Sequence, residues 1–255
     1  MKKMILNLPL DVNSVTFEEG FSRDVTNIGH WGCGSVELHI QNSADFERSG
    51  IRKGNRRMIA IIDYDAGNLK SVEKALNSIG EACVITRDFQ EIRQADKVIL
   101  PGVGAFGLAM EQLKKYEMDK MIHEVVEKKT PLLGICLGLQ LMFEGSEESP
   151  GVEGLGVFKG KVVRIPDCGL KIPHMGWNSI TLSKDSKILD DNSFVYFVHS
   201  YYLNTEDEEL VSAYTEYGEK LAIAVERGNV FATQFHPEKS GDAGMNILRK
   251  FVALG

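Results

Sequence analysis

Pro131-Leu132-Leu133-Gly134-Ile135-Cys136-Leu137-Gly138-Leu139-Gln140 is the stretch on which the reading of this chain turns. The apolar run PLLGI reads as a fully buried strand, and Leu139, Met142 and Phe143 fall at helical spacing as core positions. The order is strand, tight turn, helix, with Cys136 at the turn. Gly134 and Gly138 flank the cysteine as in a nucleophile elbow, where a sharp turn needs residues without a Cβ and lifts the side chain clear of the sheet edge. The expectation is a Cys136 that faces solvent at a helix start, where free N–H groups and the helix dipole favour thiolate over thiol. A buried cysteine acting as a small hydrophobe is the ordinary alternative, and the flanking glycines argue against it.

Upstream, Met58 opens an alternating pattern. MIAIID is an apolar run ending in the charged turn DYDAGN, and Leu69, Val72, Leu76 and Ile79 follow at helical spacing up to Gly80. ACVIT is a second strand and KVILPGVGAF a third that ends in a glycine-rich turn. One long helical pattern through Met110, Leu113, Met121, Ile122 and Val125 then leads to PLLGI. Beyond Pro150 helices thin out, and GLGVFKGKVVRI, FVYFVHSYYL, ELVSAYT, LAIAVERGN and NVFATQFH read as strands, with Gly228-Asn229 suited to a positive-φ turn. Met245, Leu248, Phe251 and Val252 space a final amphipathic helix from Asp242 to Leu254. The prediction for residues 58–255 is an α/β domain: an open, mostly parallel sheet with helices on both faces and an antiparallel extension in the C-terminal half. Parallel strands with crossover helices gather their loops at the carboxyl edge of the sheet, so DYDAGN, PGVGAF and the Cys136 turn are the loops to watch.

Residues 1–57 read differently, as an appended segment. VELHIQ alternates like one strand, Trp31 is available for packing though a single strand has no core of its own, and RKGNRR reads as a linker before Met58. His30, Cys33 and His39 match no metal-ligand spacing, so no metal is expected. At 255 residues, 43% hydrophobic and 25% charged, the chain has an ordinary globular composition. A net charge of −7 leaves no basic footprint for nucleic acid, and no apolar segment approaches the ~20 residues that span a bilayer. Four cysteines far apart, at 33, 83, 136 and 168, suit free thiols in a reducing cytoplasm.

A cysteine nucleophile needs a base for its proton and a group that fixes the base's tautomer. Gln234-Phe235-His236-Pro237-Glu238 offers both after an apolar strand, and Pro237 stiffens the turn between histidine and carboxylate. Histidines 30, 39, 123, 174 and 199 lack such a neighbour. Oxyanion donors are expected at the N–H of Leu137, the residue after the nucleophile, and in the turn at Val103 and Gly104; the alternative for PGVG is a plain strand-to-helix turn.

GICLGLQ and QFHPEKS together resemble the class I glutamine amidotransferases, whose fold is flavodoxin-like. IDYDAGNLKSV, LPGVGAF, PHMGWN at 173–178 and YFVHSYY at 196–202 are most similar to the glutaminase subunits of imidazole glycerol phosphate synthase. The resemblance covers Met58 to Gly255 and leaves residues 1–57 out. It implies Cys136 as the nucleophile that forms a thioester with glutamine, His236 as base and then acid, and Glu238 as its orienter. It further implies Gln140, Glu148, Ser200 and Tyr201 at the substrate, although Glu148 also reads as a solvated loop charge. Asn68, Trp177 and Lys239 fall in partner-facing motifs, Trp177 being either a packed loop residue or an interface anchor. The implied partner is a (β/α)8-barrel cyclase in a heterodimer, which receives the ammonia and makes imidazole glycerol phosphate and an aminoimidazole carboxamide ribotide in histidine biosynthesis. No metal or organic cofactor is implied for this half. The rivals are a glutaminase serving another pathway and a catalytically silent docking scaffold.

Overall fold

The computed structural model describes residues 58–255; VELHIQ, Trp31, RKGNRR and the His30, Cys33 and His39 trio lie outside the described residues. The first half alternates strand and helix: β1 (Met58–Ile62), α1 (Leu69–Ser78), β2 (Ala82–Thr86), α2 (Phe89–Gln94), β3 (Lys97–Gly102), α3 (Phe106–Lys115), α4 (Met118–Glu127), β4 (Leu132–Cys136) and the short α5 (Leu137–Leu141). The second half is strand-rich: β5 (Gly145–Ser146), β6 (Lys161–Arg164), β7 (His174–Ser179), β8 (Thr181–Leu182), β9 (Phe194–His199), β10 (Tyr201–Asn204), β11 (Val211–Tyr217), β12 (Glu219–Arg227) and β13 (Val230–Thr233), closed by α6 (Gly241–Ala253).

One sheet runs β2-β1-β3-β4-β13-β12-β10-β6-β5. Its first five strands in that order are mutually parallel, and the pairings of β13 with β12, β12 with β10, and β10 with β6 are antiparallel. The predicted α/β architecture with its antiparallel extension is therefore what folds. Alternation along the buried strands divides the core. Ala60, Ile62 and Leu100 pack with Ile92, Phe106, Met110 and Ile122 of α2, α3 and α4. Ile59, Ile61 and Ile99 pack with Val72 and Leu76 of α1 and Leu248 and Phe251 of α6. Each fully buried aliphatic side chain of this kind stabilises the fold by ~1.5–3 kcal/mol, so both faces of the sheet are held.

The structure departs from the sequence reading in several places. GLGVFKGKVVRI is a strand only at β6, and the two-residue strands β5 and β8 were not predicted. The long helix predicted through Met110 to Val125 is two helices, broken where Glu117 takes φ 55. The buried positions Leu113 and Met118 are five apart, which puts the two apolar stripes out of phase for a single straight helix. α2 was not predicted; Asp88 caps it by accepting the N–H groups of Gln90 and Glu91, but six residues are too few for a periodic signal. FVYFVHSYYL is not one strand. β9 pairs with β7 in a separate two-stranded sheet, and the chain crosses at Ser200 into β10 of the main sheet. PHMGWN thus lies on a strand, β7, and Trp177 is a strand residue rather than a loop residue.

Candidate active site

Three strand ends at the carboxyl edge of the parallel half build the site. β3 ends at Gly102, in register with Cys136 at the end of β4, and β13 runs parallel to β4 on its other side before the chain passes to Gln234 and His236. Cys136 itself takes φ 54 and ψ −106, a backbone state that residues with a Cβ adopt only under constraint. That single residue turns the strand into the helix. The glycines beside it answer a different need: a Cβ on Gly138 would collide with the Leu100 carbonyl, and one on Gly134 would lie 2.8 Å from the Met142 side chain. They let α5 lie directly against β3 and β4. Cys136 does not face solvent as expected; it is 7% exposed, because it packs with the apolar cluster of Ile135 and Phe235 while the Gln234 amide donates to its sulfur at 3.6 Å.

His236 lies three residues beyond Thr233, the end of β13, and Pro237 starts a 3₁₀ turn, Pro237–Lys239, that brings Glu238 back to the ring. Imidazole Nδ1 lies 2.7 Å from Glu238 Oε1, with both side chains fully buried. Asn68 takes a left-handed φ of 76 at the start of α1 and donates its amide to the same carboxylate oxygen at 2.5 Å. Burial alone depresses the imidazole, but Cys136 and Glu238, by hydrogen bonding and by charge, outweigh it and raise the ring to about 9. No bond to Nε2 meets regular hydrogen-bond geometry, so the Glu238 contact is the firmer of these two supports. The ring's second nitrogen is thereby left without a partner in the protein.

The family profile "Glutamine amidotransferase class-I" matches residues 60–254, which include all these groups. The chain is 48% identical over 200 residues to imidazole glycerol phosphate synthase subunit HisH of Methanocaldococcus jannaschii, covering 77% of this chain and 100% of that one. It is 51% identical over 197 residues to the HisH subunit of Caldanaerobacter subterraneus subsp. tengcongensis, with 76% and 97% covered. The chain belongs to the class I glutamine amidotransferases, among the HisH subunits. Solved structures share the fold: PurLQS from Thermotoga maritima superposes with a TM-score of 0.62 at 17% identity, covering 77% of this chain and 98% of that chain. A glutamine amidotransferase crystal structure gives 0.61 at 20% identity, covering 76% and 96%.

The other expected residues are placed unevenly around these groups. Val103 is 38% exposed and Gly104 takes φ 111, a conformation that glycine adopts freely. Leu137 is buried beside Gly102. Tyr64, from DYDAGN, donates its hydroxyl to the Pro101 carbonyl at 2.9 Å, and burial, then negative charge at Cys136, push that hydroxyl's pKa up. Gln140 is buried and donates to Gln234 Oε1 at 3.0 Å and to the Tyr201 carbonyl at 3.4 Å. Glu148 accepts the Phe106 N–H at 2.7 Å, and Ser149 accepts that of Gly107 at 3.0 Å, so this loop caps α3. The Ser200 carbonyl accepts the Ile165 N–H at 2.9 Å at the crossing between sheets. Trp177 is 55% exposed on β7, edge-on to Tyr196, and Lys239 is exposed on the 3₁₀ turn. Asn68, also expected on the partner face, is half-buried, and its amide is the one bonded to Glu238.

Sequence reasoning missed Gln234, Tyr64 and the pairing of His174 with His199. His174 and His199 are buried with ring nitrogens 3.0 Å apart, and burial lowers them to about 4 and about 3. A polar residue inside an apolar run was the available signal for Gln234, since a buried amide has to find partners. Among the described residues no cluster of three or more His, Cys, Asp or Glu side chains could hold a metal ion, and no helix is long and apolar enough to cross a membrane.

Proposed function

We propose that this chain hydrolyses glutamine to glutamate and ammonia and delivers the ammonia to a (β/α)8-barrel cyclase subunit, the two together making imidazole glycerol phosphate and an aminoimidazole carboxamide ribotide. The observation that carries this reading is a cysteine on a strained strand-to-helix turn, at the same sheet edge as a fully buried imidazole held 2.7 Å from a carboxylate. Membership among the HisH subunits supports the pathway.

Cys136 gives its proton to His236 Nε2, and the sulfur attacks the glutamine amide carbon, placing negative charge on the amide oxygen. N–H groups at Leu137 and the Val103–Gly104 turn receive that charge, which is where preorganised donors lower a barrier most. The imidazolium then protonates the leaving nitrogen as ammonia departs, giving a thioester. Water, deprotonated by the same imidazole, attacks the thioester and releases glutamate and the thiol. Glu238 keeps Nδ1 protonated throughout and stabilises the imidazolium, while Asn68 fixes the carboxylate. Gln140, Glu148, Ser200 and Tyr201 hold the α-amino and carboxylate ends of glutamine. Trp177 and Lys239, exposed near the 3₁₀ turn, face the cyclase, which seals ammonia from water. Residues 58–255 form the enzyme unit and 1–57 an appendage.

A glutamine-analogue electrophile is expected to label Cys136 in the native chain and not in Cys136→Ala. With a cyclase partner, Cys136→Ala abolishes glutamine-dependent synthesis and keeps ammonia-dependent synthesis. Labelling elsewhere, or loss of both activities, sinks the assignment.

A further inference from the structure

We propose that Gln234 belongs to the catalytic centre, holding the Cys136 sulfur with a side-chain N–H whose direction is dictated by a hydrogen-bond chain anchored on the Tyr201 carbonyl. The inference rests on the reading of Cys136 as nucleophile. Gln234 is completely buried directly after β13, with Thr233 and Phe235 also buried on either side. Its backbone N–H is committed to the Ile223 carbonyl at 2.7 Å, so the side-chain amide must find its own partners.

Those partners are Cys136 Sγ at 3.6 Å and Gln140 at 3.0 Å. Which end faces which is decided by a group that cannot be turned around. The Tyr201 carbonyl only accepts, so the end of Gln140 directed at it, 3.4 Å away, is the amino group. That same amino group meets Gln234, which must present its oxygen there and leave its own amino group for the sulfur. The carbonyl is itself fixed from the other side. His199 Nδ1 lies 2.9 Å from it and must be the protonated nitrogen, so His199 Nε2 is the acceptor for His174 Nδ1–H at 3.0 Å. Asn178 closes the series, donating to the Glu216 carbonyl at 2.9 Å with the same amino group that lies 3.4 Å from His174 Nε2. Every donor therefore has a determined direction from β7 to the nucleophile.

An amide N–H cannot take the proton of a thiol, but it favours the anion left behind. Gln234 thus stabilises the charge on sulfur, while the unpartnered Nε2 of His236 is the place for the proton. The two residues divide the ionisation of Cys136 between them, one serving the anion and the other the proton.

The test is the pH profile of iodoacetamide alkylation, followed by mass spectrometry on the full chain with Cys33, Cys83 and Cys168 changed to serine. Gln234→Leu is expected to move the alkylation midpoint upward by about one pH unit, and Gln234→Glu, with a negative acceptor against the sulfur, to move it further. Glutaminase kcat of Gln234→Leu falls about tenfold with KM within about twofold. If Gln234→Leu does not fold, Gln234→Met, of similar length and without a donor, carries the same measurement. A folded variant whose alkylation profile superimposes on the native one overturns the proposal. Alkylation needs no glutamine. An inactive native chain with a shifted variant profile therefore defeats the proposed function alone, whereas an active native chain with an unshifted profile defeats the role of Gln234 alone.

Discussion

Among the described residues, His236 is buried against a carboxylate while His174 and His199 are buried against each other, and burial has opposite outcomes in the two places. His236 meets a carboxylate and is raised to about 9; His174 and His199 meet each other and fall to about 4 and about 3. Removal from water disfavours the imidazolium in both places, so the difference comes from the partner: Glu238 and Cys136 supply negative charge, and a neighbouring imidazole supplies none. The first pair is set up to hold a proton. The second is set up as a neutral, directional spacer, with His174 stacked between Phe197 and Tyr217.

The largest expected effect comes from erasing the contrast. Glu238→Gln leaves an oxygen for Nδ1–H but removes the charge, and the glutaminase kcat is expected to drop on the order of a thousandfold. A drop below tenfold in steady-state assays would mean that the carboxylate only orients the ring. The second effect is on stability, where the two pairs carry opposite signs. His236 has a folded pKa above the unfolded 6.5, so its contribution is complete below 6.5 and is lost as pH rises through about 9. His174 and His199 have folded values below 6.5, so theirs is complete above 6.5 and is lost as pH falls toward 4 and 3. At pH 5 that acid-side loss amounts to about 2 kcal/mol per histidine. In urea titrations from pH 4 to 9, Glu238→Gln should flatten the alkaline side. His174→Phe should roughly halve the acid-side loss while costing about 1–2 kcal/mol at neutral pH, since it strands His199 Nε2. An unchanged acid side in His174→Phe would show that the pair is not what titrates. The smallest effect on stability is at the outer face of the strand that carries His174. Trp177→Ala should change unfolding by no more than about 0.5 kcal/mol, yet weaken association with the cyclase at least tenfold, as loss of an aromatic anchor does. A stability loss of several kcal/mol would instead make Trp177 a core residue.

The parallel half was legible because its signals are local. MIAII, ACVIT and LLGIC are each a strand in a single apolar run, and the elbow is written in consecutive residues. The contact of His236 with Glu238 was legible for the same reason, the two being two positions apart. Gln234 and Cys136 are 98 positions apart and His174 and His199 are 25 apart, so nothing nearby in the chain marks these contacts. The mixed pattern of PHMGWN hid β7, because its glycine and asparagine are poor strand formers that pairing with β9 holds extended. The glycines flanking Cys136 were noticed for the right turn but the wrong cause: the strained φ belongs to the cysteine, and the glycines answer the close approach of α5.

β7 has one further consequence. It is a ribbon with two unlike sides, showing Met175 and Trp177 outward and His174 and Asn178 to the interior series that ends at the sulfur. Whatever settles on the outer side bears on a strand whose inner imidazole is wedged between two aromatic rings, so the nitrogen resonances of His174 and His199 form a built-in strain gauge. Magnetic resonance can read from them, without an attached dye, whether an outside touch is felt at the sulfur.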